Sequence, residues 1–335
     1  MGGMMRTVVA ETERVSGADF DPYLYRAEMG LKGMFYPLGF GVRVRTNSAA
    51  VLEAAAESWG AFEREFDRPV IEMSVGVMEG DAAECPAAPG CRARRHLMTR
   101  IADQDNFYVA DLLRGYSLVW VTAAAVKHRS YFRQEFLESA GLCHIANRYA
   151  APVHAACVAR EGRGVLLCGD SGAGKSTLAF ACARAGWTYV SDDASFVLQG
   201  GAGRRVVGNC HMMRFRPSAG ELFGEVAGRP MTPRAGGKPS IEVATAELGV
   251  ARASSAEVEA IVFLRRGDAN VTEMVTVSQE AARDYLQKHL CGMEELRASQ
   301  AEAVERLLGA EVMELRYQDL DWAVERLEEV VGGDG

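Results

Sequence analysis

Apolar and polar residues alternate through Tyr36, Leu38, Phe40, Val42 and Val44 in FYPLGFGVRV, the period of a half-buried strand. Ser48 then precedes an Ala- and Glu-rich run to about Phe66 that reads as an N-capped helix, and alternation returns at Ile71, Met73, Val75 and Val77. The chain thus opens strand, helix, strand. EGDAAECPAAPGCRARR, rich in Pro, Gly and Ala, reads as a long exposed loop, and the strands FYVADL and YSLVWVT follow with Gly115 as the turn between them. Together these elements predict an N-terminal α+β module over residues 1–130.

From Tyr131 the spacing of Phe132, Phe136, Ala140 and Cys143 suits one face of a helix, which leads to a break marked by Pro152. The strand HAACVA, a hairpin-like turn at REGRG and the apolar strand GVLLC come next. Downstream the pattern predicts a helix, the strand TYVSDD, short strands to about Val243, the strands AIVFL and VTEMVTV, and a closing helix, strand and helix. There is no internal repeat. Residues 131–335 therefore read as a second, α/β unit.

The 335 residues are 48% hydrophobic and 24% charged, the balance of an ordinary globular chain. With 37 basic against 45 acidic residues the net charge is −8, which removes the attraction that non-specific binding to nucleic acid or an anionic membrane requires. Arg92, Arg94 and Arg95 are expected to be solvated loop charges. No run approaches the roughly 20 apolar residues of a membrane helix, and the start lacks a targeting pattern, so a cytoplasmic protein is expected. The eight cysteines are dispersed, as in a reducing compartment where Cys serves as a small hydrophobe. Cys85, Cys91 and His96 lie close in one loop, but without a CxxC pair a plain loop is expected rather than a zinc site.

Candidate chemistry centres on GDSGAGKS, which reads as a phosphate-binding loop formed by Gly169, Asp170, Ser171, Gly172, Ala173, Gly174, Lys175 and Ser176, with Thr177 following. Glycines at the first, fourth and sixth positions let backbone N–H groups turn inward on phosphate oxygens, and the helix that starts near Lys175 aims its positive end at the same place. Lys175 is expected to reach the β- and γ-phosphates of ATP, and Ser176 to supply a hydroxyl to Mg²⁺. The chain has only five lysines, so Lys175 is not background. Asp192 and Asp193 end the next strand, which in a parallel sheet brings them to the edge where this loop lies. One carboxylate can hold magnesium while its neighbour accepts a proton from an attacking hydroxyl; the plainer alternative is a turn cap and a solvated charge. Arg214 and Arg216, separated by Phe215, would point to one side of a strand and bind a phosphate or acidic group, or form an exposed edge.

The ordered set APVHAACVAREGRGVLLCGDSGAGKSTLAFACARAGWTYVSDDASFV resembles the HPr kinase/phosphorylase family, which has a His-Gly strand, turn, strand, phosphate loop, helix and paired aspartates in the same order and at similar spacing. GGKPSIEVATAE is similar to a later family segment, with Lys238 where the family places an arginine. The resemblance covers roughly residues 150–250 and implies a P-loop kinase domain of the HPr kinase/PEP carboxykinase-like type, using ATP and Mg²⁺ and able to assemble as a homo-oligomer. It implies Asp193 as general base, Asp192 as its metal-side neighbour, His154 in substrate contact or proton traffic, and Lys238 on the transferred phosphate. Where the family has a metal-binding glutamate this chain has Arg214, and the first 130 residues have no family counterpart, which implies a divergent HPr-kinase-like serine kinase.

The expected function is transfer of the γ-phosphate of ATP to a hydroxyl, a serine of a protein or peptide, with phosphorolysis as a reverse activity. A small-molecule P-loop kinase and a non-catalytic ATP-binding regulatory module are the alternatives.

Overall fold

A computed structural model describes residues 28–80, 83–235, 239–267, 272–288, 290 and 294–332. Among them, β1 (Leu31–Phe35), β2 (Val42–Thr46), β3 (Ile71–Met78), β4 (Gly90–Arg94), β5 (Leu97–Ile101), β6 (Phe107–Asp111) and β7 (Tyr116–Thr122) form one mixed sheet in the order β1-β2-β3-β7-β6-β5-β4. Strands β2, β3 and β7 run parallel, and the others pair antiparallel. The helix Ala49–Trp59 makes the right-sized crossover from β2 to β3 and buries Val51, Ala54, Ala55 and Trp59.

Two local expectations are corrected here. The alternation from Tyr36 to Val44 is not one strand: Pro37 starts a turn in which Leu38 (φ 52°) and Gly39 (φ 85°) are left-handed, and β2 begins only at Val42. Leu38 and Phe40 are buried because the turn folds them into the core, which mimics a period of two. The Pro- and Gly-rich loop is shorter than expected, since Gly90–Arg94 is an edge strand with every residue exposed. An edge strand decorated with Arg needs no apolar face, so its sequence looks like loop.

The segment Arg129–Arg148 is helical throughout, with a π turn at Arg133–Glu138. Phe132, Phe136, Ala140 and Cys143 are all buried, and they pack into the core of the first sheet with Trp59, Met73 and Val75.

The helix feeds the second mixed sheet, built from β8 (Ala150–Val153), β9 (Ala155–Arg160), β10 (Arg163–Cys168), β11 (Thr188–Ser191), β12 (Ser195–Leu198) and β13 (Arg205–Gly208) with three later strands. A separate pair, β14 (Met212–Phe215) and β15 (Ile241–Ala244), intervenes in the chain. Then β16 (Ser255–Arg266), β17 (Glu273–Thr276) and β18 (Glu311–Tyr317) complete the sheet, whose main path is β11-β9-β10-β16-β13-β12-β8. The run of buried residues along β9, β10 and β16 follows from covering both faces: helices Gln279–Gln287 and Glu294–Leu307 lie on one, Lys175–Arg184 and Leu320–Gly332 on the other. The turn joining β9 to β10 has Glu161 and Gly162 both left-handed (φ 52° and 82°), the geometry that matches strand twist in a tight hairpin. The fold is α/β with mixed sheets.

Strand β11 is antiparallel to β9, and β9 to β10, so β10 and β11 point the same way without touching. Their C-terminal ends therefore bring Gly169 and Asp192 to one side of the sheet, although the intervening strand is not parallel as the sequence reading supposed.

Candidate functional site

Where β10 ends, the chain enters a glycine-rich loop that only glycine accommodates easily: Gly169, Gly172 and Gly174 have φ of 147°, 97° and 99°. A Cβ on Gly169 would lie 2.8 Å from Ala173 Cβ, and one on Gly174 2.9 Å from Tyr317 Oη. The helix Lys175–Arg184 starts directly after, leaving its first backbone N–H groups facing the loop. Lys175 folds back into this cup. Its Nζ lies 2.7 Å from Gly169 O, 3.4 Å from Asp170 O and 2.9 Å from His154 Nε2. Burial pushes its pKa below the ordinary lysine value, against the opposing pull of Asp193, Cys168 and Asp170.

An ammonium can only donate, so His154 accepts at Nε2 and carries its proton on Nδ1. That nitrogen faces Asp193, with Nδ1 to Oδ1 at 3.6 Å. Lys175, His154 and Asp193 thus form one chain of contacts, supplied by the helix start, by the link between β8 and β9, and by the end of β11. Asp193 is the exposed member, its side chain 62% accessible.

Asp192 behaves differently. It is buried, its Oδ2 accepts the Arg214 backbone N–H at 2.5 Å, and its backbone O accepts from Ser176 Oγ at 3.3 Å. Burial pushes its pKa up to about 6, with Arg214 opposing and Asp193 assisting. The Arg214 guanidinium meets Glu242 Oε1 at 2.9 Å and Glu138 Oε2 at 3.7 Å, and these carboxylates hold its pKa above the ordinary value despite burial.

A cleft of about 370 Å³ lies over the glycine loop, lined among others by Ser171, Gly174, Lys175, Thr177, Asp193 and Arg216. A larger one of about 720 Å³ shares Leu222 and Arg266 with it. On the other side of Asp193 is a pocket of about 100 Å³ that contains Arg214. Arg214 and Arg216 therefore face different cavities, contrary to the sequence expectation. The strand ends at Phe215, and Pro217 starts a turn with Arg216 at its head, so strict alternation stops one residue too early. Lys238 lies outside the described residues. Cys85 and Cys91 are free and exposed, and among the described residues no group of three or more His, Cys, Asp or Glu side chains could hold a metal ion. Among the described residues, likewise, no helix is long and apolar enough to cross a membrane.

Sequence reasoning missed Tyr285, whose hydroxyl lies 2.9 Å from Gly169 N, 2.8 Å from Gly169 O and 2.9 Å from His154 O. It arrives from a helix 116 residues downstream, and nothing near the loop announces it. Glu138 and Arg266 were missed for the same reason. Glu242 stood in the quoted IEVA segment, and its position opposite Arg214 in the β14–β15 register could have drawn notice had the pairing been known.

The profile of a family described as SynChlorMet cassette protein ScmC matches residues 139–209. No curated protein matches the chain. Among solved structures, that of the Hpr(Ser) kinase/phosphatase from Coxiella burnetii is similar at 16% identity, covering 54% of this chain and 93% of that one with a TM-score of 0.29. At that level the likeness is a weak one of fold, and no residue role is carried across from it.

Proposed function

We propose that the chain is an ATP-dependent phosphotransferase that moves the γ-phosphate to a hydroxyl, a serine of a protein or peptide. The observation that carries this reading is the convergence on one cleft of the glycine loop, the buried Lys175 ammonium and the accessible Asp193 carboxylate, with His154 in contact with both of those side chains. A cleft of about 370 Å³ is within the range of small-ligand sites, and the adjoining larger one leaves room for a nucleoside. Residues from Gly169 to Thr177 would hold the phosphates through backbone N–H groups, with Lys175 exchanging two carbonyls and an imidazole for phosphate oxygens.

A hydroxyl and a carboxylate are hard oxygen donors that suit a hard cation, so Ser176 and Asp192 are the residues that would hold Mg²⁺. When bound, the ion would supply positive charge that offsets the negative charge of the phosphates as the phosphoryl group moves. Asp193 is the base. It takes the proton from the acceptor hydroxyl as the new O–P bond forms and the bond to the β-phosphate oxygen breaks, releasing ADP. His154, with its Nδ1 proton toward Asp193, orients that carboxylate. Arg216, exposed at the cleft, is suited to an incoming phosphate oxygen, whereas Arg214 is committed to its carboxylates; Lys238 remains a candidate for the same grip.

The test is transfer of label from γ-³²P-ATP with Mg²⁺ to protein, peptide or small-molecule acceptors in a cell extract. Asp193→Asn should lower transfer by about 10² to 10⁴ with nucleotide affinity retained. ATP binding with neither turnover nor transfer would instead make the chain a regulatory nucleotide binder, and label confined to small alcohols would make it a small-molecule kinase.

A further inference from the structure

The pocket of about 100 Å³ beyond Asp193 is not accounted for by nucleotide binding. Its walls come from both sheets. Leu38, Trp59, Phe62 and Leu142 belong to the first sheet and its helices, while Phe196 and Asp193 belong to the second. The glycine-loop cleft and this pocket share Asp193, so the carboxylate stands between them.

The charges at the pocket are already matched to one another. Arg133 Nε donates to Ser58 Oγ at 2.8 Å, Ser58 Oγ donates to Glu138 Oε1 at 2.8 Å, and Glu138 Oε2 faces Arg214 at 3.7 Å. Arg214 in turn is held by Glu242. With Arg214 and Glu138 tied up, the pocket offers an incoming group the apolar walls of Leu38, Trp59, Phe62, Leu142 and Phe196 and, besides Ser191, Asp192 and Asn209, the accessible Asp193 carboxylate. Glu138 sits in the π turn, an insertion of the helix that recurs at functional sites. Size narrows the occupant further: a cavity of about 150 Å³ is what benzene fills, so about 100 Å³ suits a serine or threonine side chain better than a phenol ring.

We propose that this pocket is the acceptor site, selecting a small uncharged aliphatic hydroxyl of serine or threonine size, and that the first sheet's residues Leu38, Trp59 and Phe62 together with Leu142 set that selection. The inference rests on the phosphotransferase reading and gives the N-terminal module its role. In the reaction the acceptor oxygen enters beside Asp193 from this side, gives its proton to Asp193, and attacks the γ-phosphate held on the other.

The experiment uses the full chain, γ-³²P-ATP and three peptide libraries, each randomised around one fixed Ser, Thr or Tyr. Wild type should label the Ser and Thr libraries and leave the Tyr library at least about tenfold lower. Leu142→Trp fills the pocket from a half-buried position, and it should cut transfer about 10²-fold, the scale of a misplaced reactant, with ATP affinity within about twofold. Leu142→Ala enlarges the pocket and should raise labelling of the Tyr library; it keeps the test decisive should the Trp variant fold poorly. Unchanged transfer and unchanged Ser over Tyr preference in both variants would remove the pocket from the acceptor path and leave the kinase reading standing. No label from wild type on any library or in an extract would overturn both.

Discussion

Asp192→Asn isolates the energetic state of the site in the absence of divalent cations. The carboxyl is 7% exposed and its pKa is raised from 3.8 to about 6, burial being the largest cause. A carboxyl displaced that far is about 3 kcal/mol less stable ionised than the same group in the unfolded chain. Between about pH 4 and pH 6 the native chain holds a proton that the unfolded chain has lost, so this group's contribution to stability falls as pH rises through that window. Above about pH 6 the whole penalty is present. An Asn retains the oxygen that accepts the Arg214 N–H and brings no charge, and the attraction of Arg214 is already contained in the net displacement. Urea unfolding in EDTA should therefore find the variant equal to wild type near pH 4 and up to about 3 kcal/mol more stable near pH 7.5. Adding Mg²⁺ with a non-hydrolysable ATP analogue should then stabilise wild type well above the variant's gain. A variant less stable than wild type by more than about 1 kcal/mol at pH 7.5 would refute the reasoning, because it would mean that the attraction of Arg214 and its backbone N–H for the carboxylate outweighs the burial of the charge.

Three further outcomes are expected. Arg214→Met leaves Glu242 and Glu138 without their shared cation and should cost about 3 to 5 kcal/mol in urea unfolding, whereas Arg216→Met should stay within about 0.5 kcal/mol and weaken nucleotide binding instead. Gly174→Ala forces a residue at φ 99° to carry a Cβ within 2.9 Å of Tyr317 Oη; strain of about 1 to 2 kcal/mol should lower nucleotide affinity roughly tenfold in calorimetry while the circular dichroism is unchanged. Tyr285→Phe removes the hydroxyl that ties the loop to His154 and should weaken nucleotide binding by about 1 to 3 kcal/mol, and equal affinity would mean that the loop holds its shape unaided.

What could be read in advance was local. The strand–loop–helix around Lys175 is written in contiguous residues, and the hairpin from β9 to β10 is announced by its turn. The alternation at Ile71–Val77 also met a strand, because one sheet face is buried all along it. Alternation misled where a turn, rather than a pleat, buried every second residue, as at Leu38 and Phe40. Composition misled at Gly90–Arg94, where an exposed edge strand has no apolar signature. The partners of the site were illegible for a different reason. Tyr285, Glu138 and Glu242 reach it from elements far apart in the chain, and a single sequence carries no record of which distant side chains meet. Arg214 was noticed as a departure, but its engagement with two glutamates depends on the β14–β15 pairing and on the helix from the first sheet.

That helix, Arg129–Arg148, is continuous with the chain of the second sheet and packed on the first. The two halves of the molecule therefore share this helix as a common packing element. A fragment beginning near residue 131 would carry Phe132, Phe136 and Leu137 into water with nothing to cover them, and one ending there would leave the first sheet open over Trp59 and Met73. Joining the second sheet to a different N-terminal half would therefore require carrying the helix's packing surface along with it.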